Sequence, residues 1–410
     1  MTQPPMTPPL KTDVLNSVHL AHIFRATRAR TLSLAAPLTA EDCCVQSMPD
    51  ASPTKWHLGH TSWFFETFVL ARWQMDYKPF DPAFRVLFNS YYNAVGDKHP
   101  RPERGLLTRP GLEAVLAYRS DIDRRMQTLL ATEPADTELL KLVELGVQHE
   151  QQHQELLLTD VKHLFSRSPL LPPYQEPPQL ETRVEGLSWR DFAGGLVDIG
   201  HRGDGFCFDN ELPRHQVFVQ AYRLASRLVT NSEYAKFIAA GGYRDPAHWL
   251  AEGWDWRAAQ QRQCPMYWRA EGDQWQEFTL AGLQPLNAHG PVVHLSYFEA
   301  DAYARWMRAR LPTEFEWEHA VASTADKHDD LAQLFDAAWQ WTSSSYGAYP
   351  KFRVKPGAVG EYNGKFMVNQ YVLRGGSAAT PPGHSRATYR NFFPAGACWQ
   401  FTGVRLAADL

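Results

Sequence analysis

The sequence predicts an α+β protein in two unlike parts, a helical bundle followed by an irregular mixed domain. Three observations carry that expectation. Before residue 166 there are four long stretches with apolar residues at three- and four-residue spacing. A proline-rich break follows, and after it glycine becomes frequent and short β-type runs appear.

Residues 1–12 are rich in Pro and Thr and are expected to be disordered. The bundle is read as residues 13–166, with helices in "VLNSVHLAHIFRATRARTLSLA", "PTKWHLGHTSWFFETFVLARW", "GLEAVLAYRSDIDRRMQTLLAT" and "DTELLKLVELGVQHEQQHQELLLTDVKHLF". Between the second and third lies 76–110, too long for a bundle connection and therefore expected to be a functional loop. Residues 167–188 are read as a linker, because "SRSPLLPPYQEPPQLETR" suits neither a helix nor a central strand. The second domain, 189–410, offers strands in "GGLVDIG", "RHQVFVQAYRLA" and "QYVLRGGS". Two good helices are expected there, in "TNSEYAKFIAAGG" and "SYFEADAYARWMRAR", and a third short one in "LPTEFEWEHA", where Thr313 and Glu316 have capping-box spacing.

Composition narrows the function. The chain of 410 residues is long enough for two or three cores, and its 22 Phe, 16 Tyr and 14 Trp suggest pockets for flat or cationic ligands. A net charge of −4 gives no reason to expect nucleic acid or an anionic membrane as partner. No window resembles a membrane span, and the first residues lack the apolar run of a signal peptide. Five cysteines (Cys43, Cys44, Cys207, Cys264, Cys398) without paired spacing point to a reduced, cytoplasmic protein.

The chemistry-bearing stretch is "HEQQHQELLL", residues 149–158. It begins with H-E-x-x-H, in which histidines at i and i+4 share a helix face and can hold one ion. A zinc hydrolase of that type needs a third ligand downstream, but Leu156 and Thr159 occupy the places of the Gly and His, and Glu176 lies in the linker. Upstream, "KWHLGHTSWFF" supplies His57 and His60, either of which could be the third ligand. Three imidazoles from two helices would leave open coordination positions suited to iron, copper or zinc.

Several further motifs occur in one order: "SPTKWHLGHTSWFFE", "FNSYYNAVGDKHPRPERG", "HEQQHQELLLTD", "LPTEFEWEHA", "WQWTSSSY", "VLRGGSAAT", "YRNFF" and "WQFTGVRLA". Across residues 15–408 the chain resembles the ergothioneine-type sulfoxide synthases. The resemblance implies a DinB-like four-helix bundle joined to a domain like formylglycine-generating enzyme, with a C-type-lectin-like fold. It implies a non-haem iron(II) enzyme that uses O₂ to form a C–S bond, or in the related selenoneine synthases a C–Se bond, at the imidazole C2 of hercynine (Nα-trimethylhistidine). Carried over by motif, His60, His149 and His153 are the iron ligands, and His57 becomes a packing or supporting neighbour. Gln152 is then a contact to the substrate imidazole, and one of Tyr91 and Tyr92 supplies an active-site phenol. Arg101 falls near the donor pocket, and Asn391 and Phe392 close over hercynine.

One departure concerns the second partner, a sulfur or selenium donor. Relatives often carry Arg where this chain has Cys398, and an arginine could clamp a donor carboxylate where a cysteine cannot. Cysteine, γ-glutamylcysteine and a selenosugar all stay open, with Cys398 favouring the selenosugar. Two readings from other classes stand beside this one: a zinc-dependent thiol transferase of the DinB type and a non-catalytic binding scaffold.

Overall fold

A computed structural model describes residues 17–132, 136–176, 185–324, 331–354 and 357–410. The disorder expected for residues 1–12 and the linker stretch 177–184 lie outside the described residues.

The first half is a helical bundle. Helix α1 spans Ser17–Ala35, α2 Thr54–Phe65, α3 Leu112–Thr132 and α4 Thr137–Ser166. After Phe65, α2 runs on through a π-helical turn, Glu66–Leu70, to Trp73. The N-cap of α4 is Asp136, whose carboxylate accepts from the Glu138 and Leu139 N–H groups. Helix α4 packs against α1 and α2, and α2 also against α3. The close approach of α2 and α4 depends on Gly146, where an added Cβ would come within 2.5 Å of the Phe65 ring.

A buried ionic cluster sets the rotation of α4. Glu150 is fully buried and accepts from Arg28 (2.9 Å), from Thr31 (2.6 Å) and from Arg119. Arg28 also reaches Asp123 (2.5 Å) and Ser62 (2.9 Å), so all four helices meet in this cluster. Burial alone would raise the Glu150 pKa, but Arg119 and Arg28 hold it down at about 2.

The loop 76–110 is ordered by side chains. Glu66 accepts from the Phe80 N–H (2.8 Å) and the Tyr118 hydroxyl (2.5 Å). Asn89 donates to the carbonyls of Tyr92, Gly96 and Asp97 and accepts from the Tyr92 N–H. Gly59 lets the loop settle on α2, since a Cβ there would lie 2.3 Å from the Phe88 ring.

The second half is the irregular α+β domain. A hairpin-like pair, Ala338–Ser345 (β-strand) and Tyr371–Gly376, forms the centre of a four-stranded sheet flanked by Asn391–Phe393 and Thr402–Gly403. Smaller antiparallel sheets surround it. The helices Asn231–Ala239, Tyr297–Trp306 and Glu314–Thr324 fall in the expected stretches. Thr313 and Glu316 make the reciprocal capping bonds, at 3.1 and 2.7 Å. A fourth helix, Ala251–Ala259, was not expected from the sequence. Among its residues only Gly253 is buried, so its apolar pattern is weak, and it docks by bringing that glycine against Phe298.

Side chains along α4 reach the second domain, Gln151 among them through His384 (3.2 Å). Glu155 accepts from Trp339 Nε1 (2.8 Å), Ser377 (2.6 Å) and Thr380 (2.7 Å). Gln152 meets Tyr389 and Tyr362, Gln148 meets His384, and Lys162 meets His294. No helix among the described residues is long and apolar enough to cross a membrane.

Truncating Glu150 leaves two guanidinium groups buried without their carboxylate. Glu150→Ala is therefore expected to lower the unfolding free energy by about 3–5 kcal/mol, read from urea denaturation. A loss below about 1 kcal/mol would show that the cluster does not hold the bundle.

Candidate metal centre and cavity

Rings from α2 and α4 converge where the two helices cross. The ligand atoms of His60, His149 and His153 all lie within 4.8 Å of one another. His60 Nδ1 bonds to the Phe88 carbonyl (2.6 Å), which can only accept, so Nδ1 carries the proton and Nε2 is left with its lone pair. That Nε2 faces His149 Nε2 at 3.2 Å. Two imidazole nitrogens bound to one ion at about 2.1 Å would stand about 3.0–3.4 Å apart. His149 Nδ1 is buried with no hydrogen-bond partner among the described residues.

His57 supports His153 rather than competing with it. Asp160 Oδ2 accepts from His57 Nε2 (3.0 Å) and from the Ser52 N–H (2.8 Å). With its proton on Nε2, His57 presents a bare Nδ1 to His153 Nδ1 at 2.8 Å. That leaves the His153 Nε2 lone pair free for a metal.

Burial lowers the pKa of all three imidazoles, that of His149 to about 3, so each is a neutral donor near pH 7. The residues present therefore fit a metal ion. Glu150 does not belong to this group: its carboxylate is spent on Arg28 and Arg119, on another side of the helix. It has no route to act as a base.

His149 and His153 open onto a cavity of about 620 Å³ between the bundle and the second domain. Trp56 lines it beside them, with its ring stacked on His60 (4.5 Å) and the Arg104 guanidinium 3.4 Å above its other side. The second domain contributes Tyr362, Phe366, Tyr389 and the stretch Asn391–Phe393.

A DinB superfamily family model matches residues 23–157, and a sulfatase-modifying factor enzyme 1-like domain matches residues 191–330. The hercynine oxygenase of Mycobacterium tuberculosis is 32% identical over 431 aligned residues, covering 95% of this chain and 98% of that protein. The chain belongs to the ergothioneine-type sulfoxide synthase family. The hercynine oxygenase of Mycolicibacterium smegmatis is 29% identical, with 95% and 99% covered. Ergothioneine biosynthesis protein 1 of Schizosaccharomyces pombe is 28% identical over half of this chain and 28% of its own length.

In this member of the sulfoxide synthase family, most residues singled out from the sequence border the cavity. Gln152 lines it with both ends of its amide engaged: Nε2 donates to the Tyr389 hydroxyl (2.5 Å), and Oε1 accepts from the Tyr362 hydroxyl. One N–H and one lone pair remain for a ligand. Tyr91 lines the cavity, whereas Tyr92 stacks behind it (4.6 Å) and packs on Trp63 and Phe68. Asn391 and Phe392 line it too, and Phe392 lies flat on Tyr346 at 4.1 Å. Arg101, on the rim, donates to the Asp50 carbonyl.

Cys398 differs from the expectation. It is buried outside the lining, with Sγ against Arg262 (3.5 Å) and Met266 (3.6 Å), while its neighbours Ala397, Trp399 and Gln400 face the cavity. The turn carrying these residues directs Cys398 into the second domain's own interior. The sequence reading also missed Arg104, Tyr362 and Trp256. Arg104 sits three residues after Arg101, a spacing that could have drawn attention to it. Burial, then Arg101, lower its pKa to about 9. Nothing local marks Tyr362 or Trp256.

Removal of a ring should cost the metal. His60→Ala and His149→Ala are expected to abolish stoichiometric metal, measured by elemental analysis, while Asp160→Asn lowers metal affinity about 10–100-fold by freeing the His57–His153 pair. Unchanged affinity in Asp160→Asn would remove that pair from the account.

Proposed function

We propose that this protein is an iron(II)- and O₂-dependent oxidoreductase that forms a C–S or C–Se bond at the imidazole C2 of hercynine. The observation that carries the reading is the group of three neutral imidazoles, two buried and one half-buried, at the inner end of a cavity that also holds Gln152 and an aromatic wall. The names of the relatives, hercynine oxygenase and ergothioneine biosynthesis protein, supply the substrate class.

Iron bound by His60, His149 and His153 would supply the one-electron chemistry that O₂ requires. With a thiol, the overall change breaks the hercynine C2–H and the S–H bonds and forms a C–S and an S–O bond. The second oxygen atom leaves as water with the two hydrogens. The chain's own part is positioning. Gln152, braced by Tyr362 and Tyr389, can hydrogen-bond an azole held beside the histidines. Phe392, Phe366 and Tyr91 line the same cavity as aromatic contacts for a trimethylammonium group. Burial raises the Tyr91 pKa, so its phenol keeps its proton in reach of the cavity as an acid.

Among donors, a selenosugar is favoured. The wall formed by Ala397, Trp399 and Gln400 carries no charged side chain to clamp a donor carboxylate. Arg101 and Arg104 can donate to carboxylate or hydroxyl oxygens alike and do not discriminate. Zinc has no redox chemistry, so hercynine-dependent O₂ uptake separates this reading from a thiol transferase, and uptake at all separates it from a scaffold.

Iron-loaded protein with hercynine and O₂ is expected to give a C2-substituted product by mass spectrometry, with the selenosugar used more efficiently than cysteine or γ-glutamylcysteine. Absence of O₂ uptake with every donor would sink the enzyme reading, and cysteine turnover equal to that of the selenosugar would sink the donor preference. Gln152→Leu should raise the hercynine KM about tenfold while iron content stays at the parent level.

A further inference from the structure

Gln400 precedes the strand Thr402–Gly403 and is tied to it by its own carbonyl, which accepts from the Thr402 N–H (2.8 Å). Its side chain is 2% exposed and lies on the cavity wall, yet neither Oε1 nor Nε2 has a hydrogen-bond partner among the described residues. Leaving a buried amide unpaired is costly, and native chains rarely keep one unless a ligand or water completes it. Several other polar side chains on the wall are already engaged, although Ser90 Oγ is, like Gln400, without a partner among the described residues. Gln152 is held by two tyrosines, Glu155 by Trp339, Ser377 and Thr380, and Arg390 by Glu314. Gln400 is open at both ends.

Its surroundings define what could fill it. Trp399 and Trp256 line the same cavity, and Trp256 comes so close to Gly396 that a Cβ there would be 2.7 Å from its Nε1. From Gly396 to Gln400 the lining residues are uncharged, with Cys398 turned inward. An amide offers one acceptor oxygen beside a donor N–H pair, which matches two neighbouring hydroxyl groups, one donating and one accepting. A carboxylate offers acceptors only and would leave Oε1 without a donor. Indole faces suit the C–H side of a sugar ring.

We propose that Gln400, with Trp256 and Trp399, is the subsite for an uncharged, hydroxylated part of the chalcogen donor, a sugar ring bearing the selenium or sulfur. This rests on the selenosugar reading above and assigns the residues that would select it.

The test is equilibrium binding, by anaerobic calorimetry on the full-length, iron-loaded protein, with 1-thio-β-D-glucose, its 2-deoxy analogue, cysteine and hercynine as separate probes. Gln400→Met, close in shape and without the amide, is expected to weaken thioglucose at least tenfold and to leave hercynine within twofold. A ligand-side deletion needs no variant to fold: the 2-deoxy analogue should bind the parent protein at least fivefold more weakly than thioglucose. Thioglucose binding equally well to the parent and to Gln400→Met would overturn the subsite and leave a sugar donor standing. Cysteine binding where thioglucose does not would overturn the donor reading and the subsite with it. A loss of hercynine binding matching that of thioglucose would show a general collapse of the cavity and overturn the assignment to the donor.

Discussion

The carboxylate of Glu150, buried between Arg28 and Arg119, is the contact on which the site depends. Residues along an α-helix advance about 100° each, so fixing one side chain fixes the direction of its neighbours. With Glu150 turned back toward α1 and α3, His149 and His153 face α2. Gln152 and Glu155 then face the second domain. One helix thus serves the bundle interior, the histidine cluster and the interface from a single stretch of seven residues. A pair of buried guanidiniums is a demanding way to hold a helix, since each must be matched. What it provides here is a defined rotation.

Around the histidines the chain spends backbone and side-chain groups on orientation. The Phe88 carbonyl reaches His60 only because the loop lies flat on Gly59, and the loop lies there because Glu66 and Asn89 tie it down. On the other side, Asp160 orders His57 and His57 orders His153. The two arrangements point lone pairs inward before any ion arrives, so less reorganisation is left to binding.

Much of the fold could be read from the sequence because it is repetitive locally. The four bundle helices follow apolar periodicity, and the capping box at Thr313 and Glu316 is complete within four residues. The i, i+4 histidines were legible for the same reason. What could not be read depends on partners far away in the chain. Nothing in H-E-x-x-H tells whether its glutamate is a base or a buried anchor, because Arg28 lies 122 residues before it and Arg119 31. Cys398 was given a place in the donor pocket from its motif, but the turn that carries it faces Arg262 instead. The helix Ala251–Ala259 escaped notice because it docks through a glycine and not through an apolar stripe, and with it went Trp256.

The interface between the halves has a consequence for assembly. The histidines belong to the bundle alone, whereas the walls that enclose the space above them come from both halves. The hydrogen bonds of Glu155 to Trp339, Ser377 and Thr380 hold these two walls against each other. Without the second domain, the space above the histidines would lack one of its walls. Three hydrogen bonds to one carboxylate thus act as the latch between the halves, and loosening it would open the cavity to water.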